Sequence, residues 1–144
     1  VIVYNCRVGN PETQAVLPLL RSDLLAIMRA TTDGTLAQVP VEFAQGACAC
    51  VILASGGYPE RYETGKLITG LEEAAQTAIV YHAGTKRGER GDILTAGGRV
   101  LGVTATADTL PAALERAYRA ADQIHFEGAH MRRDIGKRAL AALR

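Results

Sequence analysis

The densest run of chemistry-bearing side chains is Asn5-Cys6-Arg7-Val8-Gly9-Asn10-Pro11-Glu12-Thr13-Gln14, where an amide, a guanidinium and a carboxylate crowd a Gly-Pro turn. Such a loop has two uses. Its polar groups can cap the helix that follows, with Thr13 or Asn10 accepting the first free amides. Alternatively, Arg7 can grip an anion through two parallel N–H bonds while Asn5 gives an oxygen to a hard cation such as Mg2+, which takes oxygen ligands. A second anion candidate is Gly97-Gly98-Arg99, with Lys86 on the preceding loop. Glycine lets a backbone approach a phosphate closely, and Arg99 and Lys86 bring positive charge. The competing reading of that stretch is a tight hairpin turn with an exposed arginine.

Other polar clusters point to plainer roles. Cys48 and Cys50 are two apart on one predicted strand face, a spacing that matches neither a disulfide framework nor a CxxC zinc site, so buried reduced thiols are expected. His125 and His130, five apart with Glu127 between them, do not fit a helical metal pair. Arg132-Arg133-Asp134, with Glu127 nearby, reads as an ion-paired helix entrance rather than a nucleic-acid patch. Ser55-Gly56-Gly57 lacks the GxxxxGK[ST] pattern of a phosphate loop and reads as a turn.

The elements that must position these groups follow from apolar spacing. Val16, Leu20, Leu24 and Met28 recur at four-residue steps from Thr13 onward, which predicts one core-facing helix stopped by Gly34, with Pro18 near its first turn. Residues 35–40 are a polar connector, so the best internal boundary separates 1–34 from 41–144. Beyond it, 47–54 and 78–83 read as strands, and 92–95, Gly97-Gly98 and 99–105 as a β-hairpin, together an antiparallel sheet. Leu110, Leu114, Ala117, Ala121 and Ile124 then fall at helical spacing behind Asp108-Thr109, and 134–144 reads as a last short helix. The fold class expected is α+β.

Composition bounds the rest. The chain has 144 residues, enough for one core. Its 16 basic and 15 acidic side chains leave a formal charge of +1, so no global electrostatic footprint for nucleic acid exists. The apolar stretch 48–54 is far short of the roughly 20 residues a membrane span needs. Neither nucleic acid nor membrane is expected as a partner. The sequence opens Val1-Ile2-Val3, without an initiator Met or a secretory signal, and reads as an internal piece of a longer chain. An odd count of three cysteines favours the reducing cytoplasm.

The run from Asn5 to Gln14 closely resembles the signature of the phosphoribosylamine–glycine ligase (glycinamide ribonucleotide synthetase) family, ATP-grasp enzymes of purine synthesis. Ser22-Asp23-Leu24, Ala54-Ser55-Gly56-Gly57-Tyr58-Pro59, His82-Ala83-Gly84-Thr85, the run from Gly97 to Ala105, and Arg133-Asp134-Ile135-Gly136 resemble further motifs of that family, in its order. The resemblance implies the C-terminal part of such a ligase. Residues 1–34 would be the closing edge of the ATP-grasp core, and 41–144 a small C-terminal substrate-side domain of antiparallel sheet with packed helices. It implies glycine, phosphoribosylamine and ATP as substrates, Mg2+ or Mn2+ as cofactor, and upstream domains of the same polypeptide as partners. Residue by residue, Asn5 matches a metal-ligand Asn, and Arg7 an Arg that holds the glycine carboxylate or the acyl-phosphate charge. Asn10 and Pro11 fall in the substrate-binding loop, and Lys86, Gly98 and Arg99 match a region that can hold the ribose 5-phosphate.

Three departures stand out. Val3 occupies the place of a metal-binding Glu, Asn10 that of an Asp, and Val8 that of a larger apolar residue. Valine cannot bind Mg2+. The rival expectation, carried by Val3, is a non-catalytic or degenerate module for ribonucleotide binding or self-association. On either reading the isolated chain is expected to be inactive, since 144 residues cannot supply both halves of a nucleotide clamp.

Overall fold

The strand Arg99–Ala107 (β5) holds an apolar run, Val100, Leu101, Val103 and Ala105, that needs cover on both faces and pairing on both edges. It obtains both in the computed structural model, which describes Gly9 and residues 12–142. β5 is the centre of a three-stranded antiparallel sheet, between Ala47–Ala54 (β1) and Ile79–His82 (β2). Register sets Val51 opposite Val103 and Leu53 opposite Leu101, so their side chains share one face with Ala49 and Ala105. All of these are buried. Cys48, Cys50, Thr104 and Thr106 consequently stand on the other face.

A helix over Leu110–Ala121 (α4) covers the apolar face. Thr109 caps it, its side chain accepting from the Ala112 amide at 3.4 Å, and Pro111 sits harmlessly in the first turn. Its buried positions are Ala113, Leu114, Ala117, Ala120 and Ala121. Four alanines among five let the helix axis approach the sheet closely. The antiparallel sheet and the capped helix expected from sequence are both present.

The sequence expectation fails in two places. Residues 92–105 do not form a hairpin: Ile93–Thr95 (β4) pairs instead with Thr85–Arg87 (β3) in a separate two-stranded sheet, with Thr85 opposite Thr95. The reason is that both edges of β5 are taken, and Ala96 donates to the Gly84 carbonyl at 2.7 Å, which steers the chain into β5 from the other sheet. The helix expected from Thr13 onward is broken. Glu12–Val16 (α1) runs into a 3-10 turn at Leu17–Leu19 containing Pro18, and a new helix, Leu24–Thr32 (α2), begins where Asp23 accepts from the Ala26 amide at 2.8 Å. Nor does α2 face the core. Ala30 is its one buried residue, while Leu25 is 66% exposed.

Between these breaks a strap returns from the connector. Ala44 donates to the Leu19 carbonyl at 2.6 Å, Arg21 to Glu42 at 2.9 Å, and Ser22 bonds both the Pro40 carbonyl and the Glu42 amide, so 19–22 and 40–44 form one ladder. The remaining helical elements among the described residues are a 3-10 turn at Leu36–Gln38 and two short helices, Leu71–Ala75 (α3), which sequence spacing did not suggest, and Lys137–Ala142 (α5). Among the described residues no helix is long and apolar enough to cross a membrane.

Candidate functional site

Three loops meet where β5 begins. The chain leaves β1 through Ser55-Gly56-Gly57-Tyr58, a turn closed by the Tyr58 amide on the Ser55 carbonyl at 3.1 Å, with Gly57 at φ +91°. It leaves β2 at Ala83-Gly84, whose two amides both donate to the Val100 carbonyl, at 3.0 and 3.1 Å. It enters β5 through Gly97-Gly98. Ser55 ties the first loop to the third. Its amide donates to the Gly98 carbonyl at 2.8 Å and its hydroxyl to the Gly97 carbonyl at 2.9 Å, and the residue is buried.

The glycines are there for these approaches. A Cβ on Gly84 would stand 2.8 Å from the Gly97 Cα and 2.6 Å from the Arg99 carbonyl oxygen. One on Gly98 would stand 2.1 Å from Cδ2 of Tyr58, whose ring lies directly on that backbone. The Tyr58 ring is held in turn by Tyr62, edge to face at 6.0 Å between centroids. Gly98 is thus buried under an aromatic ring, and inside this chain its missing side chain makes room for that ring.

Of the residues singled out from sequence, the structure brings Gly98, Arg99 and the strand bearing Lys86 to this one place. Arg99 is exposed on the first residue of β5. Lys86 is exposed on β3, two residues beyond Gly84, and makes no ion pair among the described residues. His82 reaches back through Nδ1 to the Thr85 hydroxyl at 2.9 Å, closing the turn between them. Arg99 and Lys86 each bring a positive charge to a strand that starts at this backbone-rich turn. Asn5, Arg7, Asn10 and Pro11, with Val3, lie outside the described residues.

Sequence reasoning missed Ser55 and Tyr58 as the parts that hold this turn, although Ser55-Gly56-Gly57 is the turn expected. It also missed Lys66, which bridges Glu63 and Glu127 at 3.0 Å each beside a cavity of about 580 Å3 lined by Gly56, Arg61, Tyr62 and Gly128. Hydrogen bonds to Glu127 and then Glu63 hold the Lys66 ammonium above its ordinary pKa. No local spacing announces a pair 61 residues apart.

The remaining clusters are structural ties. Arg132 pairs with Asp134 through two bonds of 2.9 and 2.8 Å, as expected, but Arg133 takes Asp122 at 2.6 Å, not Glu127. Arg133 also stacks over Tyr118 at 5.8 Å. The His125 and His130 backbones bridge to Thr69 and Ala54, and both residues line one cavity. Cys48 and Cys50 are half-buried rather than buried, because they stand on the sheet face away from α4.

An α+β domain with a basic, glycine-built turn at the head of its central strand is the class these features define. Comparison with known proteins narrows it. Residues 48–138 match the family described as phosphoribosylglycinamide synthetase, C domain, and the chain belongs to that family. It is 54% identical over 143 residues to a phosphoribosylamine–glycine ligase of Chlorobaculum tepidum, covering 97% of this chain and 33% of the relative. A ligase of the same name from Synechocystis is 51% identical, covering 97% and 34% respectively. A crystal structure of phosphoribosylamine–glycine ligase from Thermotoga maritima superposes with a TM-score of 0.75 at 36% identity, covering 93% of this chain and 32% of that one. The chain thus spans about a third of the length of these relatives.

Proposed function

We propose that this chain is the C-terminal portion of an ATP-dependent ligase that joins glycine to 5-phosphoribosylamine. The reaction passes through glycyl phosphate and releases glycinamide ribonucleotide, ADP and phosphate, in the cytoplasm as a step of purine synthesis. The observation that carries this reading is the 54% identity to a ligase of that name across 97% of the chain, a span that takes in the β5 turn. Within it, Arg99 and Lys86 hold the ribose 5-phosphate at the turn that Gly98 keeps close-packed. Arg7 holds the glycine carboxylate or the acyl-phosphate charge, and Asn10 and Pro11 shape the loop around it.

Asn5 offers one neutral oxygen and Val3 none, and among the described residues no group of three His, Cys, Asp or Glu is placed to hold a cation. Mg2+ prefers six oxygens in octahedral array, so this donor set falls short of a site. In this reading Asn5 supplies one oxygen to Mg2+ or Mn2+, and the others come from ATP phosphates and from residues outside the chain.

The ATP-grasp core and its nucleotide cradle are assigned to the part of the polypeptide that precedes these residues, with 1–34 as its closing edge and 41–144 as the substrate-side domain. The exposed apolar surface supports a neighbour upstream of these residues. Six of the nine exposed large apolar residues among those described, Val16, Leu25, Met28, Leu36, Val41 and Phe43, lie in the stretch 16–43. A surface of that kind suits burial against another domain.

The test is ATP formation from glycinamide ribonucleotide, ADP and phosphate by the full reading frame, with and without Val3→Glu. Activity in the parent supports the ligase. Activity restricted to Val3→Glu favours the second reading, a ribonucleotide-binding module that has lost its metal ligand. Absence of both activity and ribonucleotide binding overturns the two together. The isolated chain is expected to be inactive throughout.

A further inference from the structure

The sheet face turned away from α4 carries a group of side chains that the proposed reaction does not use. Cys48 and Cys50 stand on it, both half-buried and both free thiols. Cys50 lies opposite Thr104 and Cys48 opposite Thr106. Thr104 is fully buried, and its hydroxyl has no hydrogen-bond partner of good geometry among the described residues. It lies against the Cys50 sulfur, toward which it can donate. The Cys50 sulfur sits 3.4 Å from where a Cβ on Gly102 would stand, with Ile52 Cδ1 at 3.5 Å and Gln14 Cγ at 3.9 Å from the same point, so the glycine makes room for these side chains over the strand.

Strand geometry separates what these two sulfurs can do from what they cannot. Residues i and i+2 of a strand are about 6.6 Å apart along its axis. A disulfide needs Cβ atoms about 3.5–4.5 Å apart, which the ladder between Ala47 and Ala107 does not allow without breaking. A linear two-coordinate ion adds a metal–sulfur bond of about 2.3 Å on each side and so spans about 4.6 Å between sulfurs. Rotation about χ1 can bring two thiols to that spacing with the backbone left in register. Soft thiolate pairs select soft ions.

We propose that Cys48 and Cys50 form a two-coordinate thiolate site for a soft monovalent cation of the Cu(I) class, with the Thr104 hydroxyl donating to the Cys50 sulfur. Binding is a ligand exchange without redox change. Two S–H bonds break, two protons go to solvent, and two metal–sulfur bonds form to give a bis-thiolate of net charge −1. The buried hydroxyl of Thr104 then has the anionic acceptor it lacks in the free chain. Its role is to orient and stabilise a ligand, the part that outer hydrogen bonds play around bound metals.

The test uses the chain carrying Cys6→Ser, which removes the third thiol. Cu(I) is supplied from a bicinchoninate buffer under nitrogen. One equivalent is expected to transfer, with a thiolate charge-transfer band in the ultraviolet. Cys48→Ser and Cys50→Ser are each expected to lose that uptake with unchanged circular dichroism, and Thr104→Val to weaken it about 10-fold. X-ray absorption on the loaded Cys6→Ser chain gives a readout that does not depend on the other variants folding, and two sulfur neighbours with no nitrogen are expected. Uptake retained in either serine variant, no uptake by the Cys6→Ser chain, or nitrogen in the coordination sphere overturns the site. So does ready air oxidation to a Cys48–Cys50 disulfide with the sheet intact. Failure here leaves the ligase reading untouched, since Cys48, Cys50 and Thr104 have no part in it.

Discussion

Gly98→Ala tests the central geometric statement about the β5 turn. The new methyl would lie 2.1 Å from Cδ2 and 2.6 Å from Cε2 of Tyr58, far inside contact distance, while no left-handed backbone angle is required at that position. The cost is therefore steric, and it falls on the ring. Forcing a methyl into a packed site typically costs about 1–3 kcal/mol, and swinging Tyr58 aside forfeits its edge-to-face contact with Tyr62, worth about 0.5–1.5 kcal/mol. A loss of about 2 kcal/mol is expected, or a fall of about 4–8 °C in melting temperature for a domain of this size. The assay is urea and thermal unfolding of four proteins: parent, Gly98→Ala, Tyr58→Ala and the double variant. Removal of the ring leaves the methyl nothing to strike, so Gly98→Ala should cost little in the Tyr58→Ala background, with a coupling of about 1–3 kcal/mol. Equal cost in both backgrounds would refute the reasoning and place the demand for glycine elsewhere.

Three further expectations follow from the same contacts. Ser55→Ala removes the 2.9 Å bond to the Gly97 carbonyl from a buried position and should lower the urea midpoint by the equivalent of about 1 kcal/mol, whereas Ser55→Thr should recover most of it. Tyr118→Phe deletes a hydroxyl that donates to the Arg132 carbonyl at 2.8 Å and accepts from the Ile135 amide at 3.1 Å, and should cost about 1–2 kcal/mol by equilibrium unfolding. Burial raises the thiols of Cys48 and Cys50, so each holds its proton in the folded chain at a pH where the unfolded chain has released it. Stability should therefore fall as pH rises from the ordinary thiol range toward the raised folded values, and a double Cys→Ser variant should lose that slope in unfolding curves taken across alkaline pH.

What could be read in advance followed the range of the interactions. β1, β5 and α4 were legible because their apolar spacing and the Thr109 cap are local signals; Leu114, Ala117 and Ala121 are buried where the spacing put them, and Ala113 and Ala120 join them. The hairpin expectation failed because turn chemistry at Gly97-Gly98 says only that the chain bends. Which strand lies beside β5 is decided by competition among β1, β2 and β4, and the eight-residue and four-residue partners fill both edges before the three-residue β4 can. The long helix failed for a comparable reason. Its four-residue apolar steps persist through Pro18 and Asp23, but the cap at Asp23 and the ladder from 19–22 to 40–44 outweigh the periodicity, and much of that apolar stripe faces outward.

The site shows the same division more sharply. Glycines before a cation suggested a backbone opened to a phosphate, and Arg99 does stand exposed at the head of the central strand. Yet Gly84 is spent on the close approach of Gly97, and Gly98 on the ring of Tyr58, 40 residues upstream. A glycine signals that something comes close and is silent about what. On the proposed reading, a phosphate at this turn is held by the side chains of Arg99 and Lys86, while the glycines and Ser55 shape the backbone beneath them. On that division of labour, Arg99→Ala should weaken glycinamide ribonucleotide binding, and Gly98→Ala should lower both that binding and the melting temperature.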